Sequence, residues 1–497
     1  MVSIGGMIED VITLLTPKEM SAADAAAAAS GIDSYGLMEK AGQAVAAAAL
    51  RHHPQTRRFV VLCGPGNNGG DGYVAARVLA EAGAAVAVFA LDPGTEPGGD
   101  AGRARYRCPL PALPLSDLVL RPGDTVIDAV FGAGLAREVP ESLRTLISAV
   151  DATGVPVVSV DLPSGLDGRR GTPLGAAFRA KQTVTFMARK PGHLLLPGRS
   201  LCGDVEVVDI GIPWRIVRGA AGVLRVNDPL LWRHLLPAPD AGSHKYRRGH
   251  LAVFSGGASH TGAARLSAEA GLATGAGLVT VASPPDAVAV NAAQLTAVMV
   301  REIEDAAAIG EWLASSKLSA FVLGPGFGVG AKARDFVSAL GGRPLVLDAD
   351  GITSFRDFPD ILFETYRGEP RLVLTPHEGE FHRLFPDIGE ADELSKVEKA
   401  IAAAQRANAI IVYKGADTVV AAPDGRAVIN ENAPPWLATA GSGDVLAGMI
   451  GALLANGMPA FEAAAAGVYL HGEAARHAGD GLTAETLVRG IRPLEPA

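Results

Sequence analysis

The chain has 497 residues, of which 48% are apolar and 20% charged, with a formal net charge of −9. That length allows two or three domains with a core in each half. The negative balance excludes a general electrostatic footprint for nucleic acid. Three widely spaced cysteines, Cys63, Cys108 and Cys202, argue against a disulfide framework or a cysteine metal site and for a reducing compartment. No stretch reaches the length of a membrane span, and the N-terminus lacks the basic and apolar regions of a signal peptide, so a cytoplasmic protein is expected.

In chain order, residues 17–50 carry a helical pattern (Met20, Ala23 and Ala27, then Leu37, Met38 and Val45) broken at Gly31. Residues 58–63 read as a buried strand, followed by a glycine-rich loop and a helix over 73–82. Strands follow at 85–90, 125–128 and 155–161, with a helix over 142–150. This alternation with short connections predicts a doubly wound, Rossmann-like parallel α/β domain. The pattern closes near 197–213, and residues 236–242 form a Pro/Gly linker candidate. The basic run from His244 to Arg248 reads as a solvated loop. A second alternation starts at Leu251 and runs to about residue 490. Its strands are expected at 278–282, 320–323, 345–347, 371–374 and 410–413. Two unrelated α/β domains are expected, over residues 1–222 and 223–497.

Gly64, Pro65, Gly66, Asn67, Asn68, Gly69, Gly70, Asp71 and Gly72 stand between a strand and a helix. They contain G-x-G-x-x-G, and Asp92 ends the next strand, as in a dinucleotide fingerprint. A tight turn with glycines at positive φ explains the glycines, but not the Asn pair or Asp71. Helix N-terminal amides favour a phosphate here, and Asn side chains add carbonyl oxygens for a cation. Asp128 and Asp161 likewise follow strands. Ligands bind beyond the carboxyl ends of strands in an open α/β sheet, so Asn68, Asp128 and Asp161 are expected at one site.

Residues 37–42, 67–72, 128–134, 161–165, 183–186, 190–192 and 203–213, in that order, resemble the NAD(P)H-hydrate epimerase domain across about 16–215. The resemblance implies a potassium ion held by Asn68, Asp128 and Ser164. It implies hydrate contacts from Asn67, Asn68, Gly69, Gly70, Asp71, Gly132, Ala133, Gly134, Leu135, Ala136, Arg137, Glu138 and Asp161. The chemistry suits these residues. A hydrated dihydronicotinamide carries a hydroxyl on the carbon beside the ring nitrogen, whose lone pair expels it to leave an iminium-like cation. Water returns to either face, and a carboxylate shuttles the proton and offsets the cation. Asp161 is assigned that task and Asp128 the metal, since hard cations take oxygen ligands.

In the second half, Ala440, Gly441, Ser442, Gly443 and Asp444 open an apolar helix running to about Ala455. First-turn amides would face a phosphate there; a glycine-rich cap before a core helix is the plainer alternative. Other loops also follow strands: Gly324 to Gly328, Asp348 to Gly351, Thr375 to Phe381, and Lys414 to Thr418. Lys414, between a buried strand and Gly415, is expected to meet a nucleotide phosphate.

This set resembles the ribokinase-like superfamily and, within it, the ADP/ATP-dependent NAD(P)H-hydrate dehydratases, over about 230–490. His244-Lys245 belongs to the matching order, as do Thr375-Pro376-His377, Lys414-Gly415 and Gly443-Asp444. Related small-molecule kinases often place Asn where His377 stands, with an acid at the position of Glu380. The resemblance implies nucleotide contacts from Lys414, Gly415, Ala416, Asp417, Thr418 and Gly443, and hydrate contacts from Ala263, Gly326, His377 and Asp444. Asp444 is expected to help deprotonate the ring hydroxyl as it attacks the terminal phosphoryl group of ADP, with Mg2+. The alternative is a vitamin-type kinase fused to a non-catalytic nucleotide-binding domain. A homo-oligomer acting on small molecules, with neither nucleic acid nor membrane as partner, is expected.

Overall fold

The computed structural model describes residues 11–236, 248–492 and 494. The linker candidate from 237 on and the basic residues 244–247, including His244-Lys245, lie outside the described residues. The chain divides into two compact units, Met1–Leu224 and Arg225–Ala497. No helix among the described residues is long and apolar enough to cross a membrane. Cys63, Cys108 and Cys202 are free and buried.

The first unit begins with helices α1 (Pro17–Ala29) and α2 (Ser34–His52). Thr16 and Glu19 form a reciprocal capping box at the start of α1, satisfying amides the first turn leaves unpaired. Strands β1 (Arg58–Cys63), β2 (Val86–Ala90), β3 (Ala112–Pro114), β4 (Asp124–Ala129), β5 (Val157–Val160), β6 (Gln182–Phe186) and β7 (Asp204–Val208) form one sheet, in the order β3-β2-β1-β4-β5-β6-β7. Every pairing is parallel. Helices α3 (Asn67–Glu81), α4 (Gly99–Arg107) and α5 (Glu141–Thr153) belong to the same unit. Apolar clusters form around Val61, Ile127 and Val158 and around Val60, Val126 and Val157, the alternate positions of the same strands. That two-sided burial explains the unbroken apolar runs of β1 and β4.

Two expectations change here. The helix expected from residue 73 begins at Asn67, so the asparagines occupy its first turn. The glycines of the run do not take positive φ; they permit close contact. A Cβ on Gly69 would lie 1.9 Å from the Gly64 carbonyl oxygen, and one on Gly64 would lie 1.9 Å from that of Val130. The strand expected over 155–161 stops at Val160, because Asp161 turns out of it at φ 65°.

The second unit holds ten strands: β8 (Leu224–Val226), β9 (His250–Phe254), β10 (Leu278–Ser283), β11 (Met299–Glu302), β12 (Ala320–Leu323), β13 (Leu345–Leu347), β14 (Leu372–Leu374), β15 (Ile410–Tyr413), β16 (Val419–Ala421) and β17 (Ala427–Ile429). Their order is β11-β10-β9-β12-β13-β14-β15-β16-β17-β8. The strands from β11 to β15 pair in parallel, and β15, β16 and β17 continue as antiparallel neighbours. Helices α6 (Gly262–Thr274), α7 (Glu378–Leu384), α8 (Lys396–Ala407), α9 (Ser442–Ala455) and α10 (Ala460–Ala478) carry the residues used below. From Val445 to Ala455 every residue of α9 is buried, as an all-round apolar helix requires.

Candidate functional sites

In the first unit the carboxyl ends of β1, β4 and β5 open into a cavity of about 690 Å³. Asn67, Asn68, Asp71, Gly132, Ala133, Gly134, Leu135, Ala136, Arg137 and Asp161 line it. Gly69 and Gly70 are buried in the packing of α3 and stand outside the lining, as does Glu138, whose carboxylate pairs with Arg144 at 2.5 Å. Gly132 keeps the centre open: a Cβ there would come within 2.9 Å of Asn68 Oδ1 and 3.1 Å of Asp161 Oδ2.

Asp161 is the most constrained residue of this site. Its positive φ is costly for a non-glycine residue and persists only where surroundings enforce it. Its Oδ1 accepts from Lys190 Nζ at 2.6 Å and from Thr185 Oγ1 at 2.9 Å, and its Oδ2 accepts from Ala133 N at 3.0 Å. Lys190 is 1% exposed and also donates to Thr185 Oγ1 at 2.8 Å. Burial pushes the Asp161 carboxyl up, but the Lys190 ammonium and these donors outweigh it and hold the group below its ordinary range. His193 Nδ1 accepts from Lys190 N at 2.9 Å, so Nε2 carries the hydrogen and donates to the Asp161 carbonyl at 2.8 Å. Burial, then Lys190, holds the His193 ring neutral, down to about 4.

Asp128 lies below the cavity, fully buried. It accepts from Ser159 Oγ at 2.9 Å, from Ser164 N at 2.7 Å, from Val130 N at 3.4 Å and from the Ser164 hydroxyl. Burial raises its carboxyl to about 6 against those hydrogen bonds. It makes no ion pair among the described residues. Ser164 Oγ also accepts from Phe131 N at 2.7 Å. Asn68 Nδ2 is buried without a hydrogen-bond partner among the described residues.

In the second unit, Gly441 caps α9 at φ 85°, a left-handed conformation that suits glycine. Asp444 sits in the first turn. Lys414, directly after β15, places Nζ 2.7 Å from Asp348 Oδ1 and 4.0 Å from Glu380 Oε2. A Cβ on Gly443 would lie 3.5 Å from that Nζ and 3.6 Å from Asp348 Oδ2, so Gly443, Lys414 and Asp348 form one cluster. Burial alone would lower the Lys414 ammonium, yet Asp348 and Glu380 reverse the effect and raise it. Burial raises Asp444 to about 6; Asp348 adds to this and Lys414 opposes it.

The other expected residues of this unit divide. Gly326 (φ 62°) packs on Ala263, a Cβ on the glycine falling 3.3 Å from that of the alanine. His377 caps α7, its Nδ1 accepting from Gly379 N at 3.0 Å, while Glu380 Oε2 accepts from His377 N at 2.9 Å. Thr418 Oγ1 donates to Gly415 O at 2.7 Å and closes the loop holding the exposed Gly415 and Ala416. Asp417 is turned back onto Lys396 Nζ at 2.5 Å.

Two family models match the chain: one described as NAD(P)H-hydrate dehydratase over residues 251–490, and one as YjeF-related protein N-terminus over 34–192. The bifunctional NAD(P)H-hydrate repair enzyme of Moorella thermoacetica is 36% identical, across 94% of this chain and 93% of its own length. That of Gloeobacter violaceus is 38% identical, across 97% of both. The chain belongs to the bifunctional NAD(P)H-hydrate repair enzyme family. The solved ADP/ATP-dependent NAD(P)H-hydrate dehydratase of Bacillus subtilis, co-crystallised with ATP and Mg2+, aligns over 51% of this chain and 93% of its own, with 25% identity and a TM-score of 0.43.

Three side chains of this repair enzyme were not singled out from sequence. Lys190 follows β6, whose alternation of threonine with apolar residues does not read as a buried strand. Asp24 lines the first cavity from α1, which reads as a core helix. Asp348 lay in a loop noted only for following a strand.

Lys190→Met removes the cation of a buried pair and is expected to cost about 3–5 kcal/mol near neutral pH. Asp161 has a depressed folded pKa, so its contribution is complete above the unfolded value and is lost as pH falls through the folded value. Without Lys190 the buried carboxyl rises, reversing the sign. Urea denaturation at about pH 5 and about pH 8 should therefore show a larger wild-type advantage at the higher pH. An equal advantage at both would separate Lys190 from the ionisation of Asp161.

Proposed function

We propose that the N-terminal unit interconverts the R and S forms of NAD(P)H hydrate, and that the C-terminal unit returns the S form to NAD(P)H at the expense of ADP. Family membership over nearly the whole chain supports both halves. The observation that carries the reading is one reactive carboxylate per unit, Asp161 on the cavity and Asp444 at the start of α9.

In the first unit, Asp161 remains an ionised base because Lys190 and the Ala133 amide hold it so. Its charge offsets the iminium that forms when the hydroxyl leaves as water, and it accepts the surplus proton of the water that adds back. Thr185 and His193 fix its orientation. The donor set beneath the cavity fits potassium: Asp128, Ser164 and Asn68 offer oxygens, and the buried Asp128 carboxylate has no counter-charge among the described residues. Potassium held there would offset the charge of the buried Asp128 carboxylate.

In the second unit, hydroxide is a poor leaving group and phosphate a good one. Asp444 accepts the proton of the ring hydroxyl as its oxygen attacks the β-phosphoryl group of ADP, releasing AMP. Lys414 and the first-turn amides of α9 face the charge that develops. Loss of phosphate and of a neighbouring ring proton restores the dihydropyridine. Mg2+ carried in with the nucleotide would supply charge neutralisation to its phosphates.

Exchanging potassium for a bulky organic cation should lower epimerisation, and Asp128→Ala should abolish that ion dependence along with most of the rate. Full activity and unchanged ion dependence in Asp128→Ala would exclude the ligand set.

Asp444→Asn should slow dehydration by about 10²–10⁴-fold while sparing epimerisation and ADP binding. With Asp444 at about 6, the wild-type dehydration rate should climb through that pH as the base ionises. The assay follows recovery of reduced-nicotinamide absorbance and release of phosphate from racemic hydrate plus ADP. A stable phosphorylated product would instead indicate a kinase.

A further inference from the structure

Asp71 occupies the second turn of α3 and lines the same cavity as Asp161. Among the described residues its carboxyl takes part in no ion pair and no hydrogen bond. Three other carboxylates of this unit do have partners: Asp161 has Lys190, Asp128 has two serines, and Glu138 has Arg144. Asp71 is half-buried on the cavity wall, and an acid partly withdrawn from water without a donor lowers stability.

Its placement supplies a reason. Helix α3 follows β1 and Asp161 follows β5, with β4 running between those two strands. At the usual spacing of about 4.8 Å, β1 and β5 lie roughly 10 Å apart. Over the end of β4 stands Gly132, which offers no side chain. A flat ring seated there has one face toward the α3 side and the other toward Asp161.

We propose that Asp71 is a second catalytic residue of the epimerisation, protonating the hydroxyl that leaves one face of the ring while Asp161 accepts the proton of the water that adds to the other. This rests on the epimerase reading above. The carbon–oxygen bond breaks with its electron pair on oxygen, which takes the Asp71 proton and departs as water. The ring nitrogen lone pair makes the carbon–nitrogen double bond. A water oxygen then bonds the same carbon from the opposite face, the double-bond pair returns to nitrogen, and the water's surplus proton passes to Asp161. Exchange with solvent resets both acids, and the reverse conversion uses them in exchanged roles.

The electrostatics agree. Burial raises the Asp71 carboxyl well above its ordinary range, and the charges of Asp161 and Asp24 add to that, whereas Asp161 is held low. A site that drives two carboxyls apart in this way keeps one acid and one base at the same pH. The other charged groups on the cavity are Asp24 of α1, Asp100 of α4, Arg137 and Lys190; the one ammonium within hydrogen-bond reach of a carboxylate here, Lys190, is engaged by Asp161.

The test is Asp71→Asn in the full chain, beside wild type and Asp161→Asn. Epimerisation should fall by about 10²–10⁴-fold. Dehydration of S hydrate should be unaffected, and the melting temperature of the N-terminal unit should hold or rise. The alkaline limb of the epimerisation pH profile, where wild type loses the Asp71 proton, should disappear. Asp71→Ser, smaller and no better a donor, should give the same kinetics and covers poor folding of the Asn variant. A rate within a few-fold of wild type with the alkaline limb intact overturns the proposal, as does lost activity that tracks a lowered melting temperature in both variants. Wild type that leaves the R and S forms drifting at the spontaneous rate overturns the epimerase reading itself. An active wild type with Asp161→Asn impaired and Asp71→Asn normal overturns only the role of Asp71.

Discussion

A lysine ammonium set against an aspartate carboxylate, both largely removed from water, recurs in the two units. Lys190 meets Asp161 at 2.6 Å, and Lys414 meets Asp348 at 2.7 Å. Such pairs repay their desolvation only when the remaining donors and acceptors are also satisfied. Thr185 and the Ala133 amide do this in the first unit. The pairs have opposite consequences for acidity. In the first unit the lysine acts on the reactive carboxylate itself and keeps it ionised. In the second it is engaged by Asp348, and the reactive Asp444, with no hydrogen bond or ion pair to its carboxyl among the described residues, rises to about 6.

The backbone at Asp161 shows how this arrangement is held. A left-handed aspartate at the end of a strand persists because its carbonyl, its amide and both carboxylate oxygens are engaged, by His193, the Val184 carbonyl, Lys190 and Ala133. A neutral His193 lets Lys190 carry the positive charge of this cluster. Strain and charge are balanced by the same few side chains, which makes the carboxylate rigid as well as ionised.

The parts legible in the sequence were those governed by local periodicity and by strand ends. The apolar runs of β1, β4, β9 and β15 announce buried strands; the rule that ligands gather at strand ends points to Asn68, Asp128, Asp161 and Lys414, and the glycine-rich start of an apolar helix points to Asp444. Where the pattern was weak, the residues it carried went unseen. Gln182–Phe186 alternates threonine with apolar residues and is buried throughout, a pattern ordinarily read as half-exposed, so β6 and the lysine beyond it were missed. Asp24 is separated from Asp161 by more than a hundred residues, and nothing local to α1 reveals that its carboxyl borders a cavity. The glycines after β1 were read as turn formers; their packing is a matter of tertiary distance, which no spacing rule encodes.

That packing of Gly64, Gly69 and Gly72 bears on how the site could change over time. Gly72 faces Ala129 and Cys63, with a Cβ there falling 2.6 Å from that of Ala129. At Gly64 and Gly69 the end of β1, α3 and the segment after β4 meet main chain to main chain, and at Gly72 only small side chains come between. Side-chain interfaces adjust by changing rotamers; an interface of bare backbone has no such freedom. The positions of Asn68, Asp71 and Gly132 relative to one another are thus set by peptide geometry, much as the teeth of a mould are set by its metal. Substitutions at those three positions would alter the chemistry offered to a ring without moving the frame, whereas one added methyl group on the frame itself would displace all of them together.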